Sequence, residues 1–503
     1  MSPAEFSTAV INTLGLIALC AGVAMPVGST LAILCFRTDV PGRKWLWMLV
    51  CSQIAIPLYV FAGGWSAGFG MQGWLRGMGW LPTDWLSPVR LDSPWQNLMA
   101  AGLVHALACI PWVALIVGLG IVLVPRSEEE VARTDGGNWF ALRHVVLPRS
   151  GPWMMLAVLW CVTSVMTEMV VTNLYQVTSL AELVYLDASR GWISYRTWWT
   201  GIGVAAILWC IVLIVLRGAG LGRLGQWRIR ASGEVWRLGR GRWMWTVGAW
   251  GGTLALVGLP LVSLVVKAGW QPVVVDGQPV RYGWSLVRLL TTLRETLVLF
   301  TPEYYWSALL AVTSTAVAVG SAVTLYALCP PRMRQWLGLA ILMLLAVPGP
   351  LVGLLITTGL NRSSPAILGW LYDSTLAAPV LAQQFRLLPI GWIFVVAITS
   401  VVGRAVFEQA RVDGLTRWEL ATRVVWPMTW RQWLGAAVCL MIFSVGELSC
   451  TILVLPPGVT TVSMRLFEML HFGMRHQDSG LCGVLVVLGW MAAAVVGKTL
   501  SGR

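Results

Sequence analysis

Two carboxylates stand inside runs that are otherwise apolar, and they are the first residues whose type and spacing could do chemistry. Glu168 follows Pro148 at the same distance along the chain as Glu447 follows Pro427. Charged side chains are costly in lipid and usually face a cavity or a partner. The equal spacing predicts a symmetric pair. The pair either lines a cation path or gate, where carboxylates suit a hard cation such as Fe³⁺, or bonds structurally to neighbouring helices.

Other chemistry-bearing patterns are incomplete in this sequence. The ten cysteines form no CxxC pair and fall mostly in apolar runs, so they favour neither a disulfide framework nor a zinc site. The segment 493–499, AAVVGKT, lacks the first glycine of a phosphate-binding loop, because Ala492 takes its place. We find no HExxH, paired Asp or Ser/His pattern of an intramembrane enzyme. We therefore expect no cofactor, no metal and no ATPase site, and we interpret His105 as a satisfied core residue.

The composition indicates a polytopic membrane protein. Of 503 residues, 57% are hydrophobic and only 11% are charged, whereas soluble domains carry about 25% charged residues. The net charge of +13 comes from arginines in short loops between apolar runs, which membrane topology explains better than nucleic-acid binding. The stretch before the first apolar run contains no Lys or Arg. We therefore expect a retained membrane helix rather than a signal peptide.

Eleven runs are long enough to span a membrane, which takes about 20 apolar residues. Backbone groups in lipid must be satisfied internally, so each run is predicted to be a helix and the protein to be all-α. The predicted spanning helices are 9–36, 44–64, 98–124, 153–175, 197–216, 245–266, 305–329, 335–359, 387–403, 432–455 and 479–497.

The distribution of Lys and Arg predicts the orientation. With eleven helices and the N-terminus outside, every arginine-rich segment and the C-terminus face the cytoplasm, as the positive-inside rule requires. The longer loops then face outward, and the one at 267–304 has room for a short helix around 286–300. The arginine-rich segments are 37–44, 126–149, 217–244, 330–334 and 404–431.

One polar pattern occurs twice, at 129–148 (the first polar segment) and at 408–427 (the second polar segment). Six predicted helices separate them, so both face the same side, and the chain reads as two parallel homologous halves. Inverted repeats, common in gradient-driven secondary transporters, are not seen. We predict a first transmembrane domain at 1–216, a basic linker with an extra helix at 217–303, and a second domain at 304–503. The matched pairs are Glu130 with Glu408, Ala132 with Ala410, Asp135 with Asp413, Gly136 with Gly414, Trp139 with Trp418, and Pro148 with Pro427.

The second polar segment contains the signals of two short helices joined by a turn. Gly414 suits the turn, and Thr416 followed by Glu419 has the spacing of a capping box. Trp418 is predicted to be an exposed aromatic anchor, and Pro427 to return the chain to the membrane. An ordinary cytoplasmic loop is the alternative. Because the pattern recurs on one side, we favour a pair of docking elements for a dimeric cytoplasmic partner.

The pattern Glu-x-Ala-x3-Gly, with a Pro further along the chain, resembles the EAA loop of permease subunits of ATP-binding-cassette (ABC) importers. The second polar segment keeps the family spacing from Glu408 to Pro427, with Gln409 and Trp426 as departures. The first polar segment is one residue shorter and has Val131 for an Ala. Both halves are similar to fused permeases of the ferric-iron and thiamine type. The resemblance assigns ATPase coupling to Glu130, Ala132, Asp135, Gly136, Pro148, Glu408, Ala410, Asp413, Gly414, Trp418 and Pro427.

The resemblance implies a type I (MetI-like) permease fold in a bacterial cytoplasmic membrane. It also implies ATPase subunits bound by both polar segments and an extracytoplasmic substrate-binding protein, with lipid as the surrounding partner and no nucleic acid. Ferric iron is the favoured substrate. Thiamine, a polyamine or another small solute stays open, and a gradient-driven transporter is the alternative from another class.

Overall fold

The computed structural model is almost wholly α-helical, which confirms the predicted all-α membrane class. Eight helices of the described chain are long and apolar enough to span a membrane, or ten if each of two bent helix pairs counts as one span. The structure describes residues 3–70, 73–77, 94–190, 195–218, 236–275, 278–362, 364–416, 419–472 and 476–500.

The first predicted domain holds ten α-helices in its described part. They are α1 (Pro3–Arg37), α2 (Arg43–Ser52), α3 (Leu58–Phe69), α4 (Trp74–Gly77), α5 (Pro94–Val122), α6 (Arg126–Ala141), α7 (Leu147–Thr167), α8 (Val170–Leu174), α9 (Leu180–Ser189) and α10 (Tyr195–Gly218).

The region after α10 contains the predicted extra helix and a β-hairpin that was not predicted. α11 (Arg242–Gly269) is longer than the predicted 245–266, and the helix expected at 286–300 is α12 (Leu286–Leu299). Between them lies an antiparallel hairpin of β1 (Trp270–Val275) and β2 (Gln278–Trp284). The sequence analysis did not predict the hairpin, although the β-branched run Val273–Val275 favours a strand.

The second predicted domain has a helix order similar to that of the first, but α8 has no counterpart among its described residues. Its described helices are α13 (Thr301–Leu328), α14 (Arg334–Leu342), α15 (Gly349–Leu360), α16 (Ala366–Asp373), α17 (Ala377–Val401), α18 (Arg404–Val412), α19 (Trp426–Gly446), α20 (Val462–Phe472) and α21 (Gln477–Leu500).

Two predicted straight spans are in fact bent pairs. The run 44–64 bends by 104° between α2 and α3, and the run 335–359 bends by 99° between α14 and α15. A proline follows each bend residue and disfavours helical geometry there. Accordingly, Ile56 is extended with φ −96° and ψ 120°, and Val347 with φ −79° and ψ 124°.

Two further predicted spans end early. The run 153–175 stops as a helix at Thr167, and the run 432–455 stops at Gly446. The second of these helices, α19, has 21 residues and is not among the candidate spans, because its first turns include Arg431 and Gln432. It accounts for the difference between the eleven predicted spans and the ten of the described chain.

The chain divides into two compact units. Unit one comprises Met1–Thr301, Pro348–Leu351 and Met464–Val486, and unit two comprises Pro302–Val347, Val352–Ser463 and Val487–Arg503. In unit one, α1, α5 and α7 share an apolar core that includes Leu16, Val113 and Val165. In unit two, Ala318, Leu387 and Leu440 bring α13, α17 and α19 together.

Candidate coupling segments and acid-capped helix breaks

The first polar segment is helical on both sides of one sharp kink. Within α6 the backbone leaves the helical region at Gly137, where φ is 77° and ψ is −171°, a region that is essentially restricted to glycine. A π-helix, Leu142–Val146, then leads directly into α7. The sequence alignment pairs Gly136 with Gly414, whereas the structure gives the positive φ to Gly137. The repeat alignment was therefore wrong by one residue at the kink.

The residues singled out in this segment form an exposed face around one buried contact. Glu130, Asp135 and Gly136 are exposed, and Ala132 is buried. Pro148 is the second residue of α7, directly after the π-helix. Val131 is 61% exposed and Trp139 71%, so the segment offers apolar surface that a partner could cover. A shallow groove of about 550 Å³ runs along it, lined by Ser127, Glu128, Val131, Ala132, Asp135, Phe140 and Val145.

A carboxylate that the sequence analysis passed over fixes this segment to the rest of unit one. Glu129 Oε2 lies 3.1 Å from Arg37 Nη2, and Trp236 Nε1 donates to Glu129 Oε1 at 2.7 Å. Arg37 also donates to the carbonyl of Ile121 at 2.7 Å. The Arg37 and Glu129 side chains are only 5% and 7% exposed. The sequence offered one indication that Glu129 faces the rest of unit one. Glu129 lies three residues before Ala132, so the two side chains share one face of the helix.

The second polar segment is stabilised by its own capping box, as predicted. Gly414 has a φ of 72° and makes the turn after α18. Thr416 N donates to Glu419 Oε2 at 3.1 Å, and Glu419 N donates to Thr416 Oγ1 at 3.2 Å. The backbone N–H of Thr416, with help from its hydroxyl and from Arg423, lowers the pKa of Glu419. A π-helix, Leu420–Val425, again leads into the membrane helix.

The remaining predicted residues of the second segment follow the pattern of the first. Glu408 and Asp413 are exposed and Ala410 is buried, as their partners in the first segment are. Pro427 lies in the first turn of α19. Trp418 lies outside the described residues.

Glu168 ends a helix instead of lying inside one, which corrects the sequence prediction. It follows the last residue of α7 and is extended, with φ −102° and ψ 136°. Its carboxylate accepts hydrogen bonds from Val170 N at 2.5 Å and Val171 N at 3.1 Å. These N–H groups begin α8, so the carboxylate satisfies donors that have no partner within that helix.

Two buried groups surround Glu168. His105 Nε2 lies 3.8 Å from Glu168 Oε2, and neither ring nitrogen has a hydrogen-bond partner within the described ranges, so the expectation of a satisfied core residue was wrong. Glu182, which the sequence analysis did not single out, accepts a bond from Asn173 Nδ2 at 2.5 Å. Burial, together with the charge of Glu168, raises the pKa of Glu182 to about 8.

Glu447 repeats the capping geometry but has a different counter-ion. It follows α19, is extended with φ −89° and ψ 114°, and accepts a bond from Cys450 N at 2.8 Å. Arg386 Nε lies 3.7 Å from Glu447 Oε2. The same guanidinium donates to the carbonyls of Leu345 at 2.8 Å and Val347 at 2.9 Å. Arg386 therefore joins the acid-capped break to the bend between α14 and α15.

Both acids thus act as hydrogen-bond acceptors where a helix breaks. Non-helical backbone at membrane depth is tolerated only where its polar groups are hydrogen-bonded. Each carboxylate accepts hydrogen bonds from backbone N–H groups at its own break. Whether the two acids face one path stays a prediction.

Comparison with known families finds a match for the second half of the chain. Residues 299–500 match the family described as the binding-protein-dependent transport system inner membrane component. Residues 299–500 belong to this family. The chain therefore carries a permease domain of an ABC importer, the membrane component of transporters that work with ATPase and substrate-binding proteins. No curated protein matches the chain.

Proposed function

We propose that the whole chain is a fused permease subunit, with two transmembrane domains that together import a small solute. The second domain belongs to the permease family across residues 299–500. The observation that carries the proposal is the recurrence of one element series in the first domain. Each half has a bent helix pair, a polar segment turned by a positive-φ glycine, a π-helix, a membrane helix with Pro in its first turn, and a glutamate at its end.

The two polar segments are proposed as docking sites for two ATPase subunits. Glu130 and Glu408 are exposed at matched positions beside a buried alanine. In the first half, the helix that resumes after the kink at Gly137 leads through the π-helix and α7 to the acid-capped break at Thr167. A displacement of the polar segment is therefore transmitted along the helix to Glu168. ATP-driven approach of the ATPase subunits would move both segments and open a solute-binding cavity of the permease outward, and hydrolysis would return that cavity inward.

The proposed setting is a bacterial cytoplasmic membrane with the N-terminus outside and the C-terminus inside. This orientation supports the docking proposal, because it places both polar segments in the cytoplasm, where ATP is available. A substrate-binding protein would deliver the solute from the opposite face.

Co-purification tests the docking proposal. We expect Glu130→Lys and Glu408→Lys to weaken association with the ATPase subunits and to lower transport-coupled ATP hydrolysis. Glu295→Lys is the matched control, since Glu295 is an exposed acid on α12 and belongs to neither polar segment. Unchanged association and unchanged hydrolysis in both polar-segment variants would refute the coupling role.

Ferric iron is the substrate we propose, and the resemblance of the two halves to ferric-iron permeases supports it. The capping bonds of Glu168 and Glu447 give these acids a structural function beside any contact with the cation. Uptake of ferric iron, thiamine and a polyamine into proteoliposomes, each with its matched binding protein, tests the choice. Transport of thiamine or a polyamine without ferric iron would overturn the iron proposal and leave the permease proposal standing.

A further inference from the structure

Three cysteines from three different helices meet in the core of unit one. Cys20 lies on α1, Cys109 on α5 and Cys161 on α7, and their sulfur atoms all lie within 4.8 Å of one another. Their exposed fractions are 0%, 2% and 0%. The positions are far apart in the sequence, so no spacing motif could have revealed the cluster.

The geometry suits a metal ion with three thiolate ligands. Metal–thiolate bonds of about 2.3 Å to a central ion would place the three sulfurs about 4 Å apart, which is within the observed limit. Structural zinc sites use four ligands, whereas these three thiols are the ligand groups of this cluster among the described residues. Sulfur ligands select soft ions such as Cu(I).

The surroundings of the cluster are apolar. The cluster lies among apolar residues of the same core, including Ile110 and Val165. Because burying net charge in such a medium is costly, thiolates in this core would need a bound cation to offset their charge. Binding then releases protons from the thiols it deprotonates.

One side of the cluster borders open space. A cavity of about 70 Å³ lies against Cys109 and is lined also by Gln53 at the bend between α2 and α3, and by Ser164 on α7. Gln53 and Ser164 are the polar residues among those that line this cavity beside Cys109. Packing alone, the usual function of buried cysteines, requires no such cavity.

We propose that Cys20, Cys109 and Cys161 form a binding site for a monovalent soft metal ion of the Cu(I) type. The site is independent of the proposed transport substrate, because ferric iron is a hard cation and prefers oxygen ligands. It would hold the ion between α1, α5 and α7 in the first half of the chain.

The test is anaerobic titration of the reduced full-length chain in detergent with Cu(I), in competition with a colorimetric Cu(I) chelator. We expect one tightly bound Cu(I) per chain. Each of Cys20→Ser, Cys109→Ser and Cys161→Ser should weaken binding by at least about 100-fold, the upper end of the effect of losing even a supporting group. Cys482→Ser is the matched control, because Cys482 is a buried thiol of the same unit outside the cluster, and it should bind as the unaltered chain does.

X-ray absorption on the unaltered chain gives a second readout that does not depend on variants folding. The copper spectrum should show three sulfur neighbours at about 2.3 Å. Binding that is equally tight in the triple serine variant, a shell of nitrogen or oxygen neighbours, or the absence of tight Cu(I) binding would each overturn the proposal.

Discussion

The two helix breaks use the same acid cap but are held by different partners. At Glu447 the partner is Arg386, a permanent cation that also binds the carbonyls of Leu345 and Val347. At Glu168 the imidazole of His105 lies at 3.8 Å, with Glu182 close by. The second break is therefore held by a guanidinium that also bonds the neighbouring helix bend, whereas the first has an imidazole and a second carboxyl group close by.

The sequence repeat locates the origin of this difference. Pro111 precedes Glu130 by the same number of positions as Pro389 precedes Glu408. By the same count, the position that corresponds to Arg386 is Ala108. In the first half that alanine lines the cavity of about 70 Å³ at the bend between α2 and α3. The Arg386 guanidinium therefore lies at the bend of the second half, and a cavity lies at the bend of the first half.

The polar segments differ in a parallel way. The first is anchored to other parts of unit one through Glu129, Arg37 and Trp236, whereas the second is ordered by the local cap of Thr416 and Glu419. Anchoring through distant residues and capping by near neighbours respond differently to mutation, so single substitutions can separate them.

Arg386→Ala should have the largest effect. It leaves the half-buried Glu447 without its counter-ion and removes the donors from two carbonyls of the helix bend. Removal of one partner from a fully buried pair costs about 3–5 kcal/mol, which is the upper bound here. We expect a large fall in thermal stability of the purified chain in detergent. Arg362→Ala, at an exposed arginine of the same unit, is the control. Equal shifts for the two variants would show that the second break is not held by Arg386.

Glu129→Ala should have the next largest effect, about 3 kcal/mol, because it leaves Arg37 buried and unpaired. The neighbouring Glu130→Ala removes an exposed side chain and should stay within about 0.5 kcal/mol. Thermal unfolding of both variants measures the difference. If the Glu129→Ala and Glu130→Ala variants had the same stability, the conclusion that Glu129 anchors the first polar segment would be wrong.

Glu182→Gln should change how stability depends on pH. The folded pKa of Glu182 is raised from 4.5 to about 8, so its contribution is fully present below pH 4.5 and is lost as the pH rises through about 8. Unfolding scans from about pH 5 to about pH 9, which cover this transition, should show a decline that the variant reduces. A decline of the same steepness in the variant would assign the pH dependence to other groups.

Thr416→Ala should have the smallest effect, about 1 kcal/mol, as for other N-caps. Faster amide exchange is expected in the second polar segment, with the first unchanged, because each is stabilised by its own contacts. Hydrogen–deuterium exchange read by mass spectrometry reports both segments in one experiment. Unaltered exchange around Glu419 would mean that the capping box does not order the segment.

The sequence predicted well what depends on local pattern. Apolar runs gave the helices, and the spacing of Thr416 and Glu419 predicted the capping box. The repeat of Glu, Ala, Gly and Pro found both polar segments, and the permease family matches the half that contains the second. The repeat alignment paired Gly136 with the turn residue Gly414, whereas the positive φ of the first segment is at Gly137, because two adjacent glycines are equally permissive until packing selects one.

The sequence could not supply partners that are distant along the chain. Arg386 stands in an apolar run far from Glu447, and Arg37 is separated from Glu129 by several whole helices, so neither pair has a local signature. The three clustered cysteines are a further case. The helix ends at Glu168 and Glu447 were also missed, because hydropathy stays high on both sides of each break.

The central claim is that one chain supplies both halves of the permease, and the subunit ratio of the assembled transporter tests it most directly. Native mass spectrometry of the complex purified with its ATPase should show one copy of this chain with two ATPase subunits, one for each polar segment. A complex with two copies of this chain and two ATPase subunits would contradict the account, because a single polar segment per chain would then be sufficient for coupling.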